Sequence, residues 1–221
     1  MSESSEAGEQ AIAGKQTIKL VLNAGSGPRS SGGLHQIFAK PGWQEVRIDI
    51  DHQTNPDLVG SIVDMTSLIA TGSYDAVWSS HSLEHLFAHQ VPSALSEFLR
   101  ILKPSGFALI TCPDLEAVAA LIVERGLDQT AYVSALGPIT SHDMLFGHSV
   151  SIAQGKEFMA HKTGFSWASL GRLLAAVGFA EVLIKRQEWD LWALALMEEA
   201  DKIAIQRDLK AGGLDMYEQS Q

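Results

Sequence analysis

The chain holds a single cysteine, Cys112, in 221 residues. No intrachain disulfide can form and no thiolate zinc site can be built, so the fold must rest on its apolar core. A reducing compartment, the cytoplasm, is the expected setting. Basic residues are also scarce: 16 Lys and Arg stand against 26 Asp and Glu, a formal charge of -10. A surface of that sign repels nucleic-acid phosphates and anionic lipid, and no run of Lys and Arg makes a local exception. Neither a nucleic acid nor a membrane is an expected partner, which leaves a small-molecule substrate. No apolar run approaches the ~20 residues needed to cross a bilayer. The start, MSESSEAGEQAIAGKQ, has no basic segment leading into an apolar one, so it reads as a disordered tail over 1–16 and not as a secretion signal. Short ligand spacings such as HExxH are absent, and no metal site is expected from the pattern.

What is present is enough apolar sequence, 46% of residues, for one substantial core. Segments rich in β-branched and aliphatic residues predict strands at TIKLVLN (17–23), QEVRIDI (44–50), SIVDM (61–65), YDAVWSS (74–80) and FALITC (107–112). Between the last two, Val91, Leu95, Phe98, Leu99 and Leu102 share one helical face, with Pro92 in the first turn and Pro104 and Gly106 ending the helix. Residues 114–135 are expected to be helical. Residues 137–165, rich in Gly, Ser and His, lose periodicity and read as a long functional loop or lid, so that an insertion covers about 114–165. A helix at 166–179 has Ser166 as N-cap and Gly178 as C-cap. AEVLIKR and DLWALALM then read as two strands whose short link, QEW, permits only antiparallel pairing. The expectation is one α/β domain over 17–198, doubly wound around a mostly parallel sheet, followed by a helix and tail over 199–221.

In such a sheet, ligands lie outside the carboxyl ends of the strands, and the first strand-to-helix turn lines the crevice. Gly25 and Gly27 fall at that turn, where a missing Cβ permits positive φ and close approach, and a following helix start offers N–H groups to an anion. Asp49 ends the second strand, where a carboxylate accepts from the hydroxyls of an adenosine ribose; Asp51 competes for that role. Two nucleoside cofactors compete as well. A dinucleotide wants a third small residue, which Ser30 supplies, but Pro28 removes one N–H from the pyrophosphate cradle. S-adenosylmethionine carries no phosphate and needs fewer loop donors.

The segments LNAGSGPRS, PGWQEVRIDID, YDAVWSSHSLEHL, FLRILKPSGFALITCPD and LLAAVGFAEV stand in an order that resembles the class I S-adenosylmethionine-dependent methyltransferases, over about residues 17–197. The likeness is greatest to the small bacterial type whose first motif reads like LGCG and is soon followed by PGW and an aspartate. It implies a seven-stranded Rossmann-like sheet with an antiparallel final hairpin. It further implies that Gly25 and Gly27 lie under the methionine part, that Asp49 with Ile50 holds the ribose end, that Asp64 accepts from the adenine amino group, and that Met65 flanks the ring. Ser79, Ser80 and His81 would face the amino acid and the sulfonium. Two departures stand out. Asn23 occupies a position that is often acidic, and the third glycine is replaced near Arg29, which would either pair with the methionine carboxylate or stay solvated. Strand four lacks an Asn-Pro-Pro-Tyr ending, so adenine-amino DNA methyltransferases match poorly.

Methyl transfer is an in-line displacement that needs a positioned nucleophile in a dry site, with a base where the nucleophile carries a proton. His81 is the candidate base. Glu84 and His85, which recur in the resembling family, are read as bracing the following helix. His142, His148 and His161 in the lid are the candidate substrate contacts. The favoured reading is methyl transfer from S-adenosylmethionine to a small-molecule or saccharide-type acceptor; a non-catalytic S-adenosylmethionine or nucleoside binder and an NAD-dependent oxidoreductase are the alternatives.

Overall fold

The computed structural model describes residues 18–29, 33–134 and 137–217. The expected tail at 1–16, Ser30 and the last residues of the C-terminal tail lie outside them. Strands β1 (Lys19–Ala24), β2 (Trp43–Asp49), β3 (Leu58–Val59), β4 (Tyr74–Ser80) and β5 (Leu102–Pro113) run parallel, while β8 (Glu181–Gln187) and β9 (Asp190–Leu196) complete an antiparallel edge. The order β3-β2-β1-β4-β5-β9-β8 makes the expected seven-stranded, doubly wound sheet. A second, two-stranded sheet pairs β6 (Thr130–Ser134) with β7 (Gly137–Thr140). The chain leaves β1 for β2 and β3 on one side and returns to β4 on the other, so the switch in strand order falls between β1 and β4.

Alternation within each strand sorts the core into two layers. Leu22 and Ala24 of β1 join Leu95 and Phe98 of α1 (Val91–Ile101) and Leu170 and Leu174 of α5 (Trp167–Val177) on one face. Val21 faces the other way, toward Phe38, Trp78, Phe107 and Leu209 of α6 (Lys202–Ala211). The expected caps of α5 are present: Ser166 and Ser169 form a reciprocal capping box, and Gly178 ends the helix in the left-handed conformation. Pro104 and Gly106 do not stop α1, which ends at Ile101; they lie in the stretch of β5 where the register against β4 shifts. No helix of the described residues is long and apolar enough to cross a membrane.

Four expectations are corrected. Residues 61–65 are not a strand, since Asp64 N–H turns back to Ser61 and Met65 N–H donates to the Glu97 carboxylate; the ladder is made earlier, by Leu58–Val59. The helix expected over 114–135 is α2 (Leu115–Arg125), closed by Gly126 at a φ of 91° and followed by β6. Among the described residues no α-helix lies between β1 and β2. There a turn buries Ile37 and Phe38 against the sheet, and Trp78 Nε1 donates to the Gly33 carbonyl. The segment 137–165 is not structureless: it holds β7, α3 (Ser141–Phe146), α4 (Ser149–Ala153) and a 3-10 turn at Glu157–Met159.

Asp143 organises that insertion. Its Oδ2 accepts from the N–H and hydroxyl of Thr140, whose own hydroxyl accepts from the Asp143 N–H, and its Oδ1 accepts from the N–H and hydroxyl of Ser149. Burial alone would raise this carboxyl, but the bonds from Ser149 and Thr140 outweigh it and hold the group far below the usual aspartate range. A depressed folded-state pKa contributes stability that is present above the unfolded value near 3.8 and is lost as pH falls below it. Asp143→Asn is therefore expected to destabilise the protein by about 1 kcal/mol or more at pH 7, the scale of a lost cap. The gap to wild type should shrink by pH 3, as read by urea unfolding at both pH values.

Candidate active site

The site forms where β1, β2 and β4 end beside the switch in strand order. Gly25 takes a φ of 71°, and a Cβ there would meet Ser82 Oγ at 2.3 Å. The group brought against this backbone is thus the loop after β4, whose Ser82 hydroxyl donates to the Ala24 carbonyl at 2.9 Å. Gly27, at a φ of 60°, gives its N–H to Asp49 Oδ2 at 2.8 Å, and Asp49 Oδ1 accepts from the Asp51 N–H at 2.8 Å. Arg47, buried on β2, takes the carbonyls of Ser26 and Gly27. Asn23 Nδ2 donates to Glu45 at 2.7 Å, and Glu45 lies 3.8 Å from the Arg47 guanidinium. Arg29 pairs with Asp57 at 2.8 Å and is half-exposed.

This wiring uses up the loop's donors. The Gly25 and Ser26 N–H groups both go to the Ile48 carbonyl, that of Gly27 goes to Asp49, and Pro28 has none. Among the described residues no α-helix follows it before β2, and a turn whose Gly25, Ser26 and Gly27 N–H groups are so committed is a poor pyrophosphate cradle, which counts against a dinucleotide. Buried hydroxyls without partners among the described residues gather instead at the strand ends: Ser26 after β1, Ser79 on β4 and Thr111 on β5. Ile50 lies 55% exposed beside Asp49 and offers an apolar face. Asp64 is exposed, and hydrogen bonds from Thr66 to its Oδ1 lower its pKa, so it stays ionised. Orphan hydroxyls, an exposed apolar side chain and an exposed carboxylate suit a nucleoside with a short polar tail. Met65 is the exception among the residues read for this site. Its side chain is fully buried, in the core cluster that also holds Ile62, Ile69 and Phe98.

The end of β4 carries the charged groups. His81 sits at a φ of 49°, with Nδ1 3.2 Å from Glu84 Oε1 and Nε2 3.6 Å from Asp190 Oδ2. Burial would lower its pKa, but Asp190 and Glu84 outweigh that and push it up to about 10. This pairing weighs against the base role expected for His81. An imidazolium between two carboxylates has no lone pair to take a proton at neutral pH. Glu84 is 1% exposed; burial would raise it, yet the hydrogen bond from His81 and the positive field of His81, His85 and His161 bring it below the usual glutamate range.

The three candidate lid histidines do not converge. His142 packs on Phe146 and His148 Nδ1 meets Ser151 Oγ at 2.8 Å, both within the insertion. His161 alone reaches the end of β4, its ring centroid 4.9 Å from that of His85, and burial lowers its pKa. Lys162 and Thr163 give their N–H groups to the Glu84 carbonyl, so Glu84 and His85 brace the insertion more than the next helix. Arg47, Ser82 and Asp190 were not marked by sequence reasoning. For Arg47 a signal existed, since an arginine amid the buried run of a central strand needs acceptors.

Fold and site together define a doubly wound α/β protein with a crevice at the β1/β4 switch. Residues 22–110 match the family of methyltransferase domains. No curated protein matches the chain. A solved S-adenosylmethionine-dependent methyltransferase from Archaeoglobus fulgidus superposes with a TM-score of 0.56 at 15% identity, over 82% of this chain and 87% of that one. A protein from Pyrococcus horikoshii gives 0.55 at 14%, over 84% of each. The methyltransferase domain of the citrinin polyketide synthase gives 0.56 at 12%, over 84% of this chain and 48% of that one. Likeness at these identities is likeness of fold. Together with the match over residues 22–110, it makes the chain similar in fold to S-adenosylmethionine-dependent methyltransferases.

The contact between Gly25 and Ser82 is directly testable. Gly25→Ala is expected to cost about 1 to 2 kcal/mol for the left-handed backbone alone, with the clash adding to it. Adding Ser82→Gly should recover the clash part, leaving the double variant more stable than the sum of the singles by at least about 0.5 kcal/mol in a denaturant cycle.

Proposed function

We propose that the protein transfers the methyl group of S-adenosylmethionine to a small-molecule acceptor of hydroxylated, saccharide-like type. The observation that carries the choice of cofactor site is the Gly25–Gly27 loop, held by Arg47 and Asp49 with no N–H left for a phosphate. When bound, the cofactor supplies an electrophilic methyl on a sulfonium. Each Asp49 oxygen, already accepting one backbone N–H, has a lone pair left for a ribose hydroxyl. Ile50 lies against adenine, and Asp64 accepts from its amino group through Oδ2, since Thr66 engages Oδ1. Asn23, its amide nitrogen committed to Glu45, offers Oδ1 to the ammonium group. The Ser79 hydroxyl and Ser80 face the methionine part.

The acceptor is activated by placement and not by deprotonation at His81. The cation on His81, fixed by Glu84 and Asp190, suits a partner rich in oxygen lone pairs. A negative surface and abundant carboxylates also favour an uncharged or cationic acceptor over a phosphorylated one.

Calorimetry with S-adenosylhomocysteine and with NADH tests the cofactor half of this reading, with binding expected only for the former. Asp49→Asn should weaken S-adenosylhomocysteine by about 1.5 to 3 kcal/mol and Asp64→Ala by about 1 kcal/mol. NADH binding, or affinities indifferent to both substitutions, would reject the assignment. A methyl-release assay over saccharides and small hydroxylated molecules tests the acceptor half.

A further inference from the structure

Glu84, His85 and His161 each offer one ligating atom within 4.8 Å of the others. Glu84 and His85 lie in the 3-10 turn Leu83–His85 after β4, and His161 arrives from the insertion on the stretch whose next two N–H groups bond the Glu84 carbonyl. The fold therefore assembles from distant parts of the chain what the sequence pattern does not display. Two imidazoles and one carboxylate are the donor set of an open zinc-type centre, with a fourth position left for water or a small molecule's lone pair.

Two observations separate this cluster from an ordinary packed pair of histidines. First, Glu84 Oε1 faces His81, but Oε2 is buried without a hydrogen-bond partner among the described residues. A fully buried anionic oxygen left unpaired is unfavourable, and a cation beside it offsets that penalty. Second, His85 Nδ1 lies 3.3 Å from the Ala160 carbonyl and His161 Nδ1 lies 3.1 Å from the Met144 carbonyl. A carbonyl only accepts, so each Nδ1 carries a proton, and in the neutral ring that tautomer leaves the lone pair on Nε2. Histidine ligands are oriented by backbone carbonyls in this way in metal sites.

We propose that Glu84, His85 and His161 bind a divalent first-row transition metal ion of the zinc type. The ion draws the three donors inward by about an ångström from their present spacing to reach bonds near 2.0–2.2 Å. It ties the insertion to the end of β4, and its open position takes water or an uncharged oxygen or nitrogen donor. Magnesium, a hard ion that prefers oxygen ligands and retains its waters, binds this set poorly.

The test is a titration of the chelator-treated full chain with Zn²⁺ by calorimetry and with Co²⁺ by visible absorption, Mg²⁺ serving as the control. One Zn²⁺ per chain is expected, with d–d bands from Co²⁺ and no saturable Mg²⁺ binding. Glu84→Gln and His161→Asn should each weaken Zn²⁺ by at least about a hundredfold, more than the loss of an outer-shell partner. His52→Asn, at an exposed histidine elsewhere, should leave the affinity within twofold. Circular dichroism and thermal melting establish that each variant is folded, and His161→Asn decides the matter should Glu84→Gln unfold. Zn²⁺ affinity that is unchanged in folded His161→Asn, or that falls equally in His52→Asn, overturns the site. Because the readout is metal binding alone, it stands or falls independently of S-adenosylhomocysteine binding.

Discussion

The end of β1 is held by the end of β2 through opposite charges acting on the same few peptide units. Arg47 pulls on the carbonyls of Ser26 and Gly27 while Asp49 takes the Gly27 N–H. Two neighbouring strands thus fix one turn from both polarities, and the positive φ values of Gly25 and Gly27 are what the turn needs to present those groups. The strand-end crevice inherits this arrangement: Ile50 is placed by Asp49, and Ser82 fits only because Gly25 has no side chain. The same commitment of N–H groups biases the loop against phosphate, so one local network shapes both the backbone and the choice of ligand.

At the other wall, the end of β4 gathers three histidines and two carboxylates in a small volume. His81 stands between Glu84 and Asp190, which couples the β4 loop to the hairpin of β8 and β9. Glu84 does two jobs at once, with one carboxylate oxygen on His81 and its carbonyl accepting from Lys162 and Thr163, while the other carboxylate oxygen has no hydrogen-bond partner among the described residues. The insertion is therefore anchored at its base, whatever the rest of it does when an acceptor enters.

Much of the fold was legible because its strands are continuous apolar runs and its helices carry local stop signals. Ser166, Ser169 and Gly178 bound α5 by chemistry that acts within a few residues. The short link between β8 and β9 decided their direction by length alone. Residues 61–65 misled because Ile62 and Met65 are buried as strand residues would be, while their segment is made of turns. The insertion misled for the opposite reason, since its order comes from Asp143 bonding to two separate hydroxyl residues and not from periodicity. In the site, residues at strand ends were found by position, but their partners were not. That Asn23 meets Glu45 and His81 meets Asp190 depends on register between strands, which one strand's sequence does not contain. His161 joins His85 and Glu84 only through the path of the insertion.

Cys112, the lone cysteine, stands fully buried on β5, opposite Leu191 of β9. Burial, and then the nearby charges of Glu84, Asp190 and Asp114, push its thiol well above the ordinary range, so the folded chain presents almost no thiolate. An alkylating reagent can reach this sulfur only when the core it shares with Phe165, Leu170 and Leu174 opens. The sequence thus carries its own label for that event, and the rate of thiol modification measures how often this layer of the core comes apart.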